Sequence, residues 1–281
     1  MIPMGQIIQW RTIAPWPDNM QVEQDLILSR IIVEIFSDPF LQNELAFRGG
    51  TALHKLFFSP AARYSEDIDL VRTSKGPISL VANTLRKKLE PWLGKAKTES
   101  TSHSFKLKFY FNPENSAAIR LRIKIEINIK ECFSILKREF KKFDVQSQWF
   151  SGNAWIHTFH FNELIGTKLR ALYQRNKGRD LFDLWLALKN NNFNGTEVVK
   201  IFLEYMNKSA LTITKDSFEK NIALKLKEQS FIDDIGILLS PHFFNTDSKF
   251  INNEYSLVTE KWNLYKAAEE VKHKILMHLP K

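Results

Sequence analysis

Residues 44–71, ELAFRGGTALHKLFFSPAARYSEDIDLV, contain the features that decide the fold of this chain. The ELAF stretch at 44–47 predicts a short strand, and ALHKLFF at 52–58 predicts a helix. An Arg-Gly-Gly-Thr turn at 48–51 separates them, so the three pieces form one strand–turn–helix unit. The DIDLV stretch at 67–71 predicts a second strand that follows this unit.

Two aspartates lie two positions apart on the second predicted strand. Because side chains alternate between the faces of a strand, Asp67 and Asp69 leave the same face, and Ile68 and Leu70 point into a core. Two such carboxylates repel each other unless a cation screens them, and Mg²⁺ or Mn²⁺ suits oxygen ligands. Glu126, on a neighbouring predicted strand, is a candidate third ligand for a two-metal site. The alternative is a turn or an exposed strand face.

The glycine pair at the start of the predicted helix is a candidate phosphate site. At Gly49, Gly50 and Thr51, bare backbone amides and a helix N-terminus could bind an anion. A Gly-Gly turn alone is most often a simple turn. Here an aspartate pair begins sixteen residues after Thr51 in a basic protein, and the combination favours a nucleotide site.

The rest of the chain changes from strand patterns to helix patterns. FKLKFYF at 105–111 and IRLRIKIEINI at 119–129 alternate strictly, which predicts strands with one buried face. A helix is predicted to run through Val22–Phe36 and to end near Pro39, and further helices are predicted at Ser79–Leu93, 161–176, 179–190 and about 254–277. Strands early and helices late predict an α+β fold, with a sheet-containing core at 1–155 and a helical domain at 156–281.

Composition places the chain among ordinary globular proteins and indicates a polyanionic partner. Hydrophobic residues make up 44% of the 281 positions, and the formal net charge is +9. Residues 120–180 carry thirteen Lys/Arg against six Asp/Glu, and residues 85–110 carry seven against two. A basic middle of this kind is typical of proteins that bind NTP, RNA or DNA, although basic surfaces without that function are common.

Several classes of protein are disfavoured by the sequence. Cys132 is the single cysteine, so an intrachain disulfide and a Cys-rich zinc site are excluded. The first residues lack the pattern of a signal peptide, and no stretch approaches 18 uninterrupted apolar residues. We therefore expect a cytoplasmic protein without a membrane partner.

Three separated motifs resemble one known family. GGTAL at 49–53 and RYSEDIDL at 63–70 are similar to motifs of the AbiEii/AbiGii-type nucleotidyltransferase toxins, members of the DNA polymerase β-like nucleotidyltransferase superfamily. KLRALYQRNKGRDLFDL at 168–184 resembles the family's downstream Lys…Arg-Asp-x-x-Asp segment. The motifs occur in order and frame about residues 45–190, which makes the resemblance specific.

The resemblance implies a fold and a set of roles. It implies a mixed sheet flanked by helices, followed by a helical C-terminal domain that contributes active-site residues. It implies that Asp67 and Asp69 hold Mg²⁺, that NTP is the substrate and that Asp180 is important for transfer. It places the triphosphate near four residues: Gly49, Gly50, Thr51 and Lys168. At the position of Glu126 the superfamily commonly has Asp.

The downstream segment can also be interpreted from its spacing. Lys168, Leu172 and Arg175 are spaced to share one helical face, which could direct positive charge at a triphosphate. The alternative is an ordinary solvated face. Asp180 opens the next predicted helix, where the helix dipole alone could stabilise it. Ser65 could hydrogen-bond a phosphate or its own turn.

These observations predict a metal-dependent nucleotidyltransferase that moves a nucleoside monophosphate from an NTP to an acceptor. The basic middle and the resemblance indicate RNA as the acceptor, with tRNA expected. The resemblance also implies the toxin of a two-component abortive-infection, or phage-defence, system, with an antitoxin encoded alongside that need not touch it. The alternatives are a same-fold enzyme acting on a protein or a small molecule, and a nucleotide- or RNA-binding regulator without turnover.

Overall fold

The computed structural model describes residues 2–116, 118–241 and 261–281. The chain divides into two compact units, Met1–Phe159 and His160–Lys281. Strands lie in the first unit, and the described part of the second unit is helical. This arrangement confirms the predicted α+β fold.

The first unit is built on a seven-stranded mixed sheet with the order β3-β4-β5-β2-β1-β7-β6. The strands are β1 (Leu45–Arg48), β2 (Asp67–Arg72), β3 (Lys97–Ser100), β4 (Ser104–Phe111), β5 (Leu121–Asn128), β6 (Glu139–Gln146) and β7 (Ser151–Thr158). Its helices are α1 (Met4–Trp10), α2 (Asn19–Phe36), α3 (Pro39–Glu44), α4 (Gly49–Leu56) and α5 (Ser79–Leu93). Strand β2 is central, antiparallel to β1 and parallel to β5.

Strict alternation makes β5 a strand with one buried face. Ile123, Ile125 and Ile127 are fully buried, while the residues between them are polar and lie on the other face. The strand is shorter than the predicted 119–129, and Ile119 is 42% exposed rather than in the core. The strand starts at Leu121 because its partner β4 ends opposite that residue, so residues before Leu121 have no strand to pair with on that side.

The helix predictions hold in most places, and Pro39 begins a short helix that the sequence patterns did not predict. Helix α5 covers the predicted Ser79–Leu93 and stops at Gly94, which has a φ of +81°. Helix α2 ends at Phe36, before the predicted stop near Pro39, and Pro39 is instead the first residue of α3.

Sequence patterns did not predict strands β3, β6 and β7. In β6 the exposed positions alternate regularly, but the inward-facing set includes Glu139 and Lys141 beside Phe143 and Val145. Charged residues therefore occur on both faces, and the apolar alternation that identifies a strand is lost. The β6–β7 hairpin is defined by its antiparallel register instead.

The second unit contains α6 (Phe161–Gln174), α7 (Gly178–Ala187), α8 (Gly195–Asn207), α9 (Lys215–Lys225), α10 (Gln229–Asp233) and α11 (Leu264–Lys274). Helix α6 packs against α7 and α8, and α11 packs against α7. The last predicted helix, 254–277, is observed as α11 followed by a short 3-10 turn, and its first residues lie outside the described range. Within the described ranges, every helix is too short or too polar to cross a membrane.

Candidate active site

The two aspartates of the Asp-x-Asp motif lie on the central strand. Asp67 is opposite Lys124 of β5, and Asp69 is opposite Arg48 of β1 and Glu126 of β5. Register partners share a face of the sheet, so these five side chains surround one point on it. The opposite face is core, where the intervening residues of β2 are buried.

The paired carboxylates fit a divalent metal by their chemistry. Asp69 is half-buried, and burial, followed by the nearby charge of Asp67, raises the pKa of its carboxyl. Carboxylate oxygens from two adjacent positions on one strand face are hard ligands, and a cation between them would offset both effects. The donor set of this pair therefore matches Mg²⁺ or Mn²⁺.

Gly49 lies against Asp69 and opens α4. Its φ of +82° is in the left-handed region that favours glycine. A Cβ at this position would lie 3.0 Å from the Asp69 Cβ and closer still to its Oδ2. The glycine thus allows the carboxylate and the first turn of α4 to approach, and the helix N-terminus favours negative charge there.

A hydrogen-bonded pair of hydroxyls joins α4 to the segment before β2. The Thr51 and Ser65 hydroxyl oxygens are 2.7 Å apart, and the Thr51 hydroxyl donates to the Asp67 carbonyl. These bonds fix the backbone at the start of β2 and join Ser65 to a residue of α4. The turn role of Ser65 stays a prediction. Contact of Gly50, Thr51 or Ser65 with a nucleotide stays a prediction.

Glu126 is held by two lysines that the sequence patterns did not single out. Its Oε1 is 3.2 Å from Lys106 Nζ, and its Oε2 is 3.0 Å from Lys124 Nζ. Lys124 Nζ is also 3.0 Å from Asp67 Oδ2, so one ammonium group bridges two of the proposed metal ligands. Burial opposes ionisation of Glu126, but the hydrogen bond and charge of Lys124, followed by Lys106, lower its pKa overall.

The role of Glu126 as a metal ligand stays a prediction. Both of its oxygens already accept from an ammonium group. Across residues 2–116, 118–241 and 261–281, no three His, Cys, Asp or Glu side chains are arranged to hold a metal together. A ligand role for Glu126 would therefore require its carboxylate to leave Lys124.

We expect Gly49→Ala to destabilise the first unit more than Gly94→Ala does. Both glycines have nearly the same positive φ, and each alanine should cost about 1–3 kcal/mol through backbone strain. An added Cβ meets Asp69 at Gly49, whereas nothing lies within 4 Å at Gly94. Urea unfolding of both variants measures the two losses, and an equal or smaller loss for Gly49→Ala would contradict the prediction.

The second unit contains a buried ion network between α6 and α7. Lys168 Nζ is 3.1 Å from Asp180 Oδ1 and 2.8 Å from Asp183 Oδ2. Arg175 makes a bidentate contact with Asp180, with Nε–Oδ2 and Nη2–Oδ1 distances of 2.6 and 2.7 Å. Both carboxylates are fully buried. Burial opposes ionisation of Asp180, but Lys168 and then Arg175 lower its pKa overall.

This network corrects the predicted helical face. Lys168 is only 6% exposed, so it is neither a solvated lysine nor a residue whose loss the fold would tolerate easily. Arg175 follows the last residue of α6 with extended backbone angles, so it does not continue the face of Lys168 and Leu172. The prediction failed because helical spacing does not show that a partner helix supplies buried carboxylates.

Comparison with known proteins decides the family. A sequence model of the AbiEii family, described as nucleotidyl transferase toxins of type IV toxin–antitoxin systems, matches residues 30–247. The chain belongs to this family. The match covers more than half of the chain, confirms the resemblance of the three motifs and identifies a nucleotidyltransferase. A search of curated proteins finds no match.

Solved structures support the fold of this AbiEii-family protein. JHP933 from Helicobacter pylori aligns with a TM-score of 0.54 and 17% identity, over 93% of this chain and 93% of that one. MenT4, a nucleotidyltransferase toxin from Mycobacterium tuberculosis, aligns with a TM-score of 0.54 and 15% identity, over 72% of this chain and 70% of that one. At these identities the likeness shows the fold alone.

Proposed function

We propose that this nucleotidyltransferase moves a nucleoside monophosphate from an NTP to RNA, with tRNA as the acceptor, and depends on a divalent metal. The observation that carries the proposal is the pair Asp67 and Asp69 on one face of the central strand, beside the left-handed Gly49 that opens α4. When bound, the metal would neutralise charge on the triphosphate during displacement of pyrophosphate.

The residues of the first unit have distinct roles in this proposal. Asp67 and Asp69 supply the metal ligands. The start of α4, at Gly49 and Gly50, binds phosphate oxygens through backbone N–H groups. Thr51 holds the backbone of Asp67 by its hydrogen bond, so the carboxylate is positioned before substrate arrives.

In the second unit we assign the phosphate contact chiefly to Arg175. Its side chain is 50% exposed, whereas Asp180 and Lys168 are buried. The bidentate contact with Asp180 orients the guanidinium, whose geometry suits phosphate. Asp180 and Lys168 would then act mainly by positioning Arg175, while direct participation of either in transfer stays a prediction.

The biological role follows from the family and from charge. The formal charge of +9 favours a polyanionic acceptor. The family description implies a cognate antitoxin. We propose that this toxin acts in the cytoplasm in defence against phage, and that the antitoxin need not contact it.

The test is incubation with each α-labelled NTP, Mg²⁺ and total cellular RNA, followed by separation of RNA from protein. We expect label in a tRNA-sized band that depends on metal and is absent with Asp69→Asn. Label in protein would indicate a same-fold transferase with a different acceptor. Nucleotide binding without any transfer would indicate a regulator and contradict the proposal.

A further inference from the structure

The face of the sheet that carries the aspartate pair continues as a basic surface towards strand β3. Register pairs link Asp67 to Lys124, Lys124 to Lys108, and Lys108 to Lys97 across β2, β5, β4 and β3. Neighbouring strands are about 4.8 Å apart, so this row extends about 15 Å from the proposed metal ligands. We call the cations on it the basic face: Lys97, Lys106, Lys108, Arg120, Arg122 and Lys124.

Positive charge on the basic face exceeds negative charge. Its six cations are accompanied on β3, β4 and β5 by two carboxylates, Glu99 and Glu126. Glu99 forms an ion pair with Lys108, and Glu126 forms an ion pair with Lys106. Both carboxylates therefore lie on the basic face. The surplus is concentrated at the far end, where Lys97, Arg120 and Arg122 are exposed.

A tyrosine orders that far end. The Tyr110 ring centroid is 5.5 Å from Lys97 Nζ and 5.0 Å from Arg120 Cζ, and Tyr110 lies opposite Arg122 in register. Cation–π contacts of this kind restrict flexible side chains. Three cations therefore surround one ring, and ligand binding would cost less side-chain entropy there.

We propose that the basic face binds the phosphate backbone of the acceptor RNA and directs its reactive end to Asp67 and Asp69. Alternate residues on a strand, such as Lys106 and Lys108, are about 7 Å apart, a spacing comparable to that of successive phosphates in an extended nucleic-acid strand. The inference rests on the proposed function, because it assigns a surface to that acceptor.

The experiment compares tRNA binding by two triple variants of the full chain. The face variant is Lys97→Gln/Arg120→Gln/Arg122→Gln. The control variant removes three other exposed lysines of the first unit, Lys75→Gln/Lys137→Gln/Lys142→Gln, and has the same net charge. Isotherms for a fluorescent tRNA transcript are measured at several salt concentrations, and circular dichroism melts check that both variants fold.

The face variant should bind tRNA at least about tenfold more weakly. The slope of the logarithm of its binding constant against the logarithm of salt concentration should be shallower by about 2, because three phosphate contacts are lost. Its NTP affinity should stay unchanged, and the control variant should behave like wild type. Equal tRNA binding by face variant and wild type, or equal losses in both variants, would overturn the inference.

The labelling result separates failure of this inference from failure of the proposed function. If wild type labels tRNA but the face variant binds tRNA normally, the surface assignment alone is wrong. If wild type binds no tRNA and labels protein instead, the proposed acceptor and the surface are wrong together.

Discussion

Lys168→Ala is expected to lower the free energy of unfolding of the second unit by about 3–5 kcal/mol, because it leaves two buried carboxylates without their shared cation. Asp180 and Asp183 have fully buried side chains, and Lys168 is the ammonium within ion-pair distance of both. The loss should appear as a lower urea midpoint with little change in slope.

An exposed lysine of the same region provides the matched control. Lys177 Nζ is 3.2 Å from Asp234, but its side chain is 46% exposed. Lys177→Ala should therefore cost only about 0–1 kcal/mol. Equal losses in the two variants would contradict a dominant role for the buried network. Normal NTP binding by Lys168→Ala, in the folded state, would show that Lys168 is structural.

The pH dependence of the Lys168 effect follows from the lowered pKa of Asp180. A carboxyl whose pKa is lower in the folded state stabilises the fold at pH values above its unfolded pKa, which is 3.8 for Asp180. That stabilisation is lost as the pH falls through the folded pKa. The difference in unfolding free energy between wild type and Lys168→Ala should therefore be largest near neutral pH and shrink below pH 3.8.

Asp67→Asn and Asp69→Asn should each reduce nucleotidyl transfer by about a thousandfold or more, because the proposed metal ligands would supply several kcal/mol of charge stabilisation. Neither change alters the shape of the side chain. Asp69→Asn should also leave stability equal or higher, because burial and the charge of Asp67 already disfavour its ionised form. Single-turnover label transfer and thermal melts measure the two effects.

Glu66→Gln is the control for this pair. Glu66 lies next to Asp67 in sequence and is exposed, so the same charge is removed outside the proposed ligand set. We expect near-normal transfer. Near-normal transfer by a folded Asp67→Asn or Asp69→Asn variant would remove the metal-ligand assignment.

The sequence predicted those features that depend on local pattern. The Gly49 turn, the strand with Asp67 and Asp69, and the alternation of β5 are encoded by neighbouring residues, and the structure confirms their secondary structure. The shared face of the two aspartates follows from a strand period of two. Local sequence pattern does not indicate the contacts of a residue whose neighbours come from another element.

The features that were missed depend on contacts between distant segments. Lys124 engages Asp67 only because β5 pairs in parallel with β2, and no spacing in the chain indicates that register. Lys168 contacts Asp180 and Asp183 of the next helix, and the spacing within its own helix gives no sign of those two carboxylates. Sequence thus indicates the local elements more readily than the contacts that hold each side chain.

The central position of β2 has a consequence for the timing of turnover. Its backbone is hydrogen-bonded to β1 on one side and to β5 on the other, so it cannot separate from the sheet without breaking both ladders. The free energy of opening such a strand locally approaches the free energy of global unfolding. The spacing of Asp67 and Asp69 should therefore persist throughout the catalytic cycle, and the motions that admit substrate and release pyrophosphate must belong to other parts of the protein.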